Sequence, residues 1–162
     1  GILGGSNWSP ISINSDLNLA FVSGIHAPIK YTLHEKNTEN GITEYTSSEP
    51  TNDPQWGLLS AINLSTGKIQ WQYKTPQPLV GGTLSTKGGL VFLGEGNGNF
   101  NAIDAASGAL LWQTYIDAGV NAPPITYLID GEQYIAVAAG GNKIMGFSQG
   151  DYISVYKLPK AE

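Results

Sequence analysis

Few side chains in this sequence are spaced for chemistry of their own. Cysteine is absent, so a thiolate metal site and a disulfide framework are both excluded. The two histidines, His26 and His34, lie eight residues apart with no carboxylates at metal-ligand spacing. Asp104 shares its place in a repeated turn motif with Asn63, which makes it a turn former and not a free catalytic carboxylate. Glu95, Asp117 and Asp130 fall in expected turns, where an acid is more often solvated than catalytic. Asn7 reads by itself as a turn residue capping the strand that begins at Pro10. Gly140-Gly141-Asn142 could bring backbone close to a bound group, because glycine permits close approach, or could form a plain glycine turn. Asn7-Trp8-Ser9 and Asn63-Leu64-Ser65 match the glycosylation sequon but fall within core motifs, so neither is read as modified.

The elements that would carry these residues are set out by a repeat. Leu59 to Trp71 and Phe100 to Trp112 match at an offset of 41 residues, aligning Ala61 with Ala102, Ile62 with Ile103, Gly67 with Gly108 and Trp71 with Trp112. Repeats of roughly 40–45 residues suit a four-stranded propeller blade. In each copy an Asx side chain opens a turn, a glycine takes the left-handed conformation that closes it, and the resumed strand carries a tryptophan as a large apolar plate for the next sheet. Charged residues make up only 13% of the 162 residues, against about 25% in ordinary domains. With 21 glycines, that composition favours short strands joined by tight turns. The net charge of −5 leaves no basic footprint, so nucleic acid is not an expected partner.

In chain order, Ile11 to Ile13, Leu19 to Val22, Gln55 to Leu64 and Lys68 to Lys74 read as strands, with Ile69, Trp71 and Tyr73 on one face. Residues 26–54 lose periodicity and read as a long surface loop. Further strands are expected at Gly81 to Thr86, Leu90 to Leu93, Trp112 to Ile116, Ile125 to Leu128 and Tyr134 to Ala139. Asp130-Gly131 is a hairpin turn, and a lone last strand runs from Asp151 to Leu158. The expected fold is all-β: an incomplete β-propeller of about three four-stranded antiparallel blades. So few blades cannot close a ring, which implies that other residues supply the rest.

At these residues the chain resembles the quinoprotein dehydrogenases, which carry pyrroloquinoline quinone (PQQ) in a β-propeller. The resemblance rests on the docking motifs Ala61–Trp71 and Ala102–Trp112, on Gly4–Trp8, Thr86–Phe92 and Asp130–Tyr134. It is completed by an ending, Gly150–Pro159, like that of the glucose and polyol branch. It covers most of the chain except the loop from His26 to Pro54, and residues 1–162 correspond to the C-terminal portion of the family. It implies oxidation of an alcohol or sugar hydroxyl by PQQ with Ca²⁺, electrons passing to a quinone or cytochrome. It also implies a periplasmic protein, membrane-associated through a region preceding these residues. The cofactor-binding residues it implies are Asn7, Trp8, Gly140 and Gly141, with Asn7 donating to the quinone oxygens. Val80 stands where some members place a tryptophan beside the cofactor. The catalytic base and the Ca²⁺ ligands fall outside the segment, so no catalytic or metal residue is assigned and the segment alone is expected to be inactive. The rival reading is a non-catalytic propeller of the same type serving as a protein-binding scaffold.

Overall fold

Two packed interfaces organise the molecule. The computed structural model describes residues 4–7, 9–32, 35–37, 40–41, 43–45 and 47–157. The first sheet has the order β1-β2-β7-β8, from β1 (Ser12–Asn14), β2 (Leu19–His26), β7 (Trp56–Asn63) and β8 (Ile69–Thr75). The second runs β9 (Thr83–Ser85), β10 (Leu90–Gly94), β11 (Asn99–Asp104) and β12 (Leu110–Tyr115). The third is β13 (Ile125–Ile129), β14 (Glu132–Ala139) and β15 (Tyr152–Lys157). All pairings are antiparallel. The fold is all-β, and the three sheets are consecutive blades of a β-propeller.

Alternation along each strand produces the two interfaces. Leu19, Phe21, Leu59 and Ala61 of the first sheet meet Val91, Leu93 and Ile103 of the second. Phe92, Phe100 and Ala102 on the second sheet's other face meet Ile135, Val137 and Ala139 of the third. The docking tryptophan bridges the first pair. Trp71 donates its indole N–H to the Ala105 carbonyl at 3.1 Å, and its ring lies where a Gly108 side chain would stand, 2.7 Å from that position. The turn beneath it forms as the repeat implies. Asp104 Oδ1 accepts the Ser107 and Ala106 N–H groups and the Ser107 hydroxyl, and Gly108 has φ of 78°. Asn63 does the same for Ser65 and Thr66, with Gly67 at 68°.

Three expectations change. Ile69 does not share a face with Trp71 and Tyr73, because a bulge pairs Ala61 with Trp71 but Ile62 with Ile69. The extra residue turns Ile69 to the opposite face, where it is 56% exposed. Asp151 to Leu158 is not a lone strand either: β15 extends the third sheet by pairing with β14 along six residues. That sheet has three strands among the described residues, where four were expected. Finally, the aperiodic stretch is an insertion between β2 and β7 built as nested short hairpins. In it β3 (Ile29–Tyr31) pairs with β6 (Ser48–Pro50), and β4 (Glu35–Asn37) with β5 (Thr43–Tyr45). Its base is clasped by His26 stacked on Trp56 at 3.5 Å, with the Lys74 ammonium 4.3 Å from the same indole.

The two docking tryptophans differ in what receives them. Trp112 packs on Phe100 and Tyr156 but remains 40% exposed. Trp71 is itself partly buried, so Trp71→Ala is expected to cost about 3 kcal/mol in urea unfolding, the lower end for a large core aromatic, and Trp112→Ala clearly less. The Ser107 hydroxyl and N–H, followed by the Ala106 N–H, hold the Asp104 carboxyl below its usual range. A depressed folded-state value contributes stability above the unfolded value and loses it as pH falls through the folded one. Wild type should exceed Asp104→Asn in stability near neutral pH, and the gap should close at acid pH. Asn63→Ala should show no such titration.

Candidate functional site

Strand direction sorts the connections into two ends. The hairpin turns of β1–β2, β7–β8, β9–β10, β11–β12 and β13–β14 share the lower end. The links between sheets, the β10–β11 turn and the 140–151 loop share the upper one.

At the upper end the three approaches to β1, β9 and β13 stack closely. Ser9 Oγ donates to the Val80 carbonyl at 2.7 Å, and Thr83 N–H donates to the Pro10 carbonyl at 3.1 Å. A Cβ on Gly82 would lie 2.5 Å from Pro10 and 2.8 Å from Pro123, so only glycine fits between the two prolines. A Cβ on Gly81 would lie 3.3 Å from the Asn121 and Val120 carbonyl oxygens. Pro10, Gly82 and Pro123 thus hold matching places, as do Val80 and Asn121 two residues before.

Asn7 lies on the first of these approaches. Its segment is held by the Ile25 N–H, which donates to the Gly5 carbonyl at 2.7 Å. The Asn7 side chain is exposed and has no hydrogen-bond partner among the described residues; it caps nothing there. Trp8 lies outside the described residues. Gly140 and Gly141 lie at the same end on the third sheet, Gly140 exposed. Gly141 has φ of 73°, and a side chain on it would run into the Ser148 carbonyl, so its conformation serves the loop itself. Its N–H donates to the Gly119 carbonyl at 2.9 Å, and Gly119 N–H donates to the Ser148 carbonyl at 2.8 Å. The second sheet's approach separates Asn7 from this pair, so the three residues share one end without touching. Between them, Asn121 Nδ2 is buried with no acceptor among the described residues.

Glu95 overturns its sequence reading. It is 2% exposed, not solvated. The expected bend is present, but the side chain folds inward along the face that β10 and β11 turn toward the first sheet. There its oxygens accept the Asn101 amide at 2.5 Å and the Asn97 amide at 3.1 Å. Asn101 Oδ1 in turn accepts from Gln113 Nε2 at 2.8 Å. Burial, and next the Glu95 charge, raise the Tyr73 hydroxyl above its ordinary value. The available signal was Asn101, a polar residue in strand register with Ile103 of the core.

An apolar groove of about 570 Å³ opens at the lower end instead, between the second and third sheets, lined by Leu90, Phe92, Trp112, Ile135 and Tyr156. A large apolar pocket is the default ligand site. This one is inter-sheet space beside the half-covered Trp112, on the end away from Asn7 and Gly141.

A family model described as PQQ, glucose/ethanol/alcohol dehydrogenase, β-propeller domain, matches residues 1–135. The quinoprotein alcohol dehydrogenase PedE of Pseudomonas putida is 37% identical over 158 residues, covering 96% of this chain and 25% of that protein. The quinoprotein glucose dehydrogenase of Escherichia coli is 35% identical over 130 residues, 68% of this chain and 16% of that protein. The crystal structure of quinohemoprotein alcohol dehydrogenase from Comamonas testosteroni superposes with a TM-score of 0.78 at 25% identity, over 99% of this chain and 28% of that one. The chain spans about a quarter of the length of the curated relatives it matches. With the model matched across most of its residues and blades that superpose on a solved member, the chain belongs to the PQQ glucose/ethanol/alcohol dehydrogenase β-propeller family.

Proposed function

We propose that the upper end of these blades is one wall of the cofactor site in a dehydrogenase that oxidises an alcohol or sugar hydroxyl. The observation that carries this reading is the Asn7 amide, exposed and without a partner among the described residues, beside the stacked approaches to the inner strands. The residues present fit PQQ, an acidic planar group rich in oxygen acceptors. Asn7 offers exposed N–H donors and Val80 adds an apolar contact, while Asn121 Nδ2 lies buried behind this surface with no acceptor among the described residues. When bound, PQQ supplies the two-electron redox chemistry that amino-acid side chains lack.

What this chain contributes is binding and polarisation. A fixed amide N–H aimed at an oxygen that gains negative charge stabilises the developing charge without needing to reorganise. Gly140, with room beside its backbone, and the bonded Gly141 would face the same group from the third sheet. The base that takes the hydroxyl proton and the Ca²⁺ ligands lie, in this reading, outside residues 1–162. So do the remaining blades, and the segment alone does not turn over. A quinone or a cytochrome takes the electrons, and the protein is periplasmic, membrane-associated through a preceding region. The same amide argues against the scaffold reading, which has no use for an unpaired donor at this end.

In the full-length protein reconstituted with PQQ and Ca²⁺, an artificial electron acceptor should be reduced in the presence of alcohols or sugars. Asn7→Ala should lower turnover about a hundredfold, as removal of an oxyanion donor does, while the unfolding midpoint stays put. No turnover across a broad substrate panel would favour the scaffold, and equal loss of turnover and stability would return Asn7 to a structural role.

A further inference from the structure

We infer that Glu95 is a positioning residue for the cofactor wall, holding the Ile116–Pro124 link and the 140–150 loop in place through the turn it closes. The inference rests on reading the upper end as the cofactor end.

The argument begins with the direction of the hydrogen bonds. Both asparagines that meet the Glu95 side chain have their oxygens committed elsewhere. Asn101 Oδ1 accepts from Gln113 Nε2 at 2.8 Å, and Asn97 Oδ1 accepts the Asn99 N–H at 3.0 Å. Each can therefore present only its NH₂ group, and the residue between them must accept on both branches. A carboxylate does so. Glutamine has the same shape, but one branch would set an N–H against an N–H in a buried place. The turn sequence Glu95-Gly96-Asn97-Gly98-Asn99 thus calls for an acid, although its shape alone would not.

The same residue ties the turn to the wall through its backbone. Glu95 N–H donates to the Asn99 carbonyl at 2.8 Å, and its own carbonyl accepts from Gly98 at 3.1 Å and from Val120 at 3.0 Å. Val120 is fully buried and immediately precedes Asn121. The next residue in the turn, Gly96, lies under the Phe147 ring so closely that a side chain there would overlap it. A Cβ on Gly119 would lie 2.9 Å from the Gly96 carbonyl and 3.2 Å from Gly141. The Val120 bond and the close approach of Gly96 to Phe147 and Gly119 thereby couple the turn to Val120, Gly119, Phe147 and Gly141, four residues of the wall. Glu95 would not touch the cofactor; it acts through these neighbours.

Two variants of the full-length protein test this. Glu95→Gln should speed amide exchange at Val120 and Gly141, measured without cofactor, by about tenfold or more, the size expected for one buried polar mismatch. At a temperature where the variant is fully folded, PQQ affinity should fall by a similar factor while kcat at saturating PQQ changes little. The double variant Glu95→Gln with Asn97→Asp restores an acceptor opposite the new amide and keeps the net charge. It should recover both slow exchange and PQQ affinity. A lowered unfolding midpoint with unchanged exchange and unchanged PQQ affinity in Glu95→Gln would make Glu95 merely structural, and failure of the double variant to rescue would refute the hydrogen-bond argument. Wild-type protein that binds no PQQ would sink the cofactor reading alone, since exchange at Val120 and Gly141 reports on the positioning independently.

Discussion

The contact between an indole and the next sheet's turn decides most of what else this chain can do. A β-sheet with two apolar faces has to bury both, and stacking sheets face to face at about 10 Å does so only if their relative rotation is fixed. Apolar side chains alone are poor at this, because sliding one sheet over another exchanges one set of contacts for a similar one. The bond from Trp71 Nε1 to the Ala105 carbonyl is directional, and the ring occupies a space that Gly108 leaves open. Together they set an angle and a height between the first two sheets. At the upper end the same pair of sheets meets again where Pro10 packs on Gly82, with Pro123 of the third sheet's approach on its other side.

The two ends are built differently. At the lower end each turn is first closed by its own residues, Asn14 accepting from Leu17, Asn63 from Ser65 and Thr66, and Asp104 from Ala106 and Ser107. Bonds such as Leu64 to the Asn18 carbonyl, Asn14 to the Thr86 carbonyl and Trp71 to the Ala105 carbonyl then join one finished turn to the next. Such turns are local, and they would form in much the same way in any blade. At the upper end the bonds run between segments far apart in sequence, from Ser9 to Val80, Val120 to Glu95 and Gly141 to Gly119. Surfaces assembled from several segments can be varied without disturbing the strands beneath, which is why functional groups collect on loops held by a rigid scaffold.

The same division governs what could be read from the amino acids. The docking motif was legible because an Asx acceptor, a left-handed glycine and a large plate each act within a dozen residues. The Asp130-Gly131 turn was legible for the same reason, and both residues have positive φ. Glu95 was not. A glutamate amid glycines and asparagines looks like a solvated turn, and its inward course is decided by Asn101, which meets it across a hairpin. The bulge that turns Ile69 away was hidden because strand periodicity assumes that no residue is skipped. Strands β3 to β6 were missed because three residues give no measurable period. For β15, the sequence pattern found the strand but not its partner, since a twelve-residue loop without a docking motif separates it from β14.

Burying a carboxyl group between sheets is costly unless its hydrogen bonds are complete, and a paired apolar substitute is often no less stable. In Glu95 the two side-chain oxygens are satisfied by amides that cannot turn round, because Gln113 and the Asn99 backbone hold their other ends. The network therefore has one sense of polarity, and a slipped or rotated turn would break several bonds at once. Apolar packing would tolerate small displacements of Gly96 beneath Phe147; this network does not. In the reading of the upper end as a cofactor wall, Asn7 of the first sheet has to be held at a fixed separation from Asn121 and Gly141 of the third, and that needs an intolerance of this kind somewhere beneath it. The middle sheet, which touches both neighbours, is where it has the greatest reach.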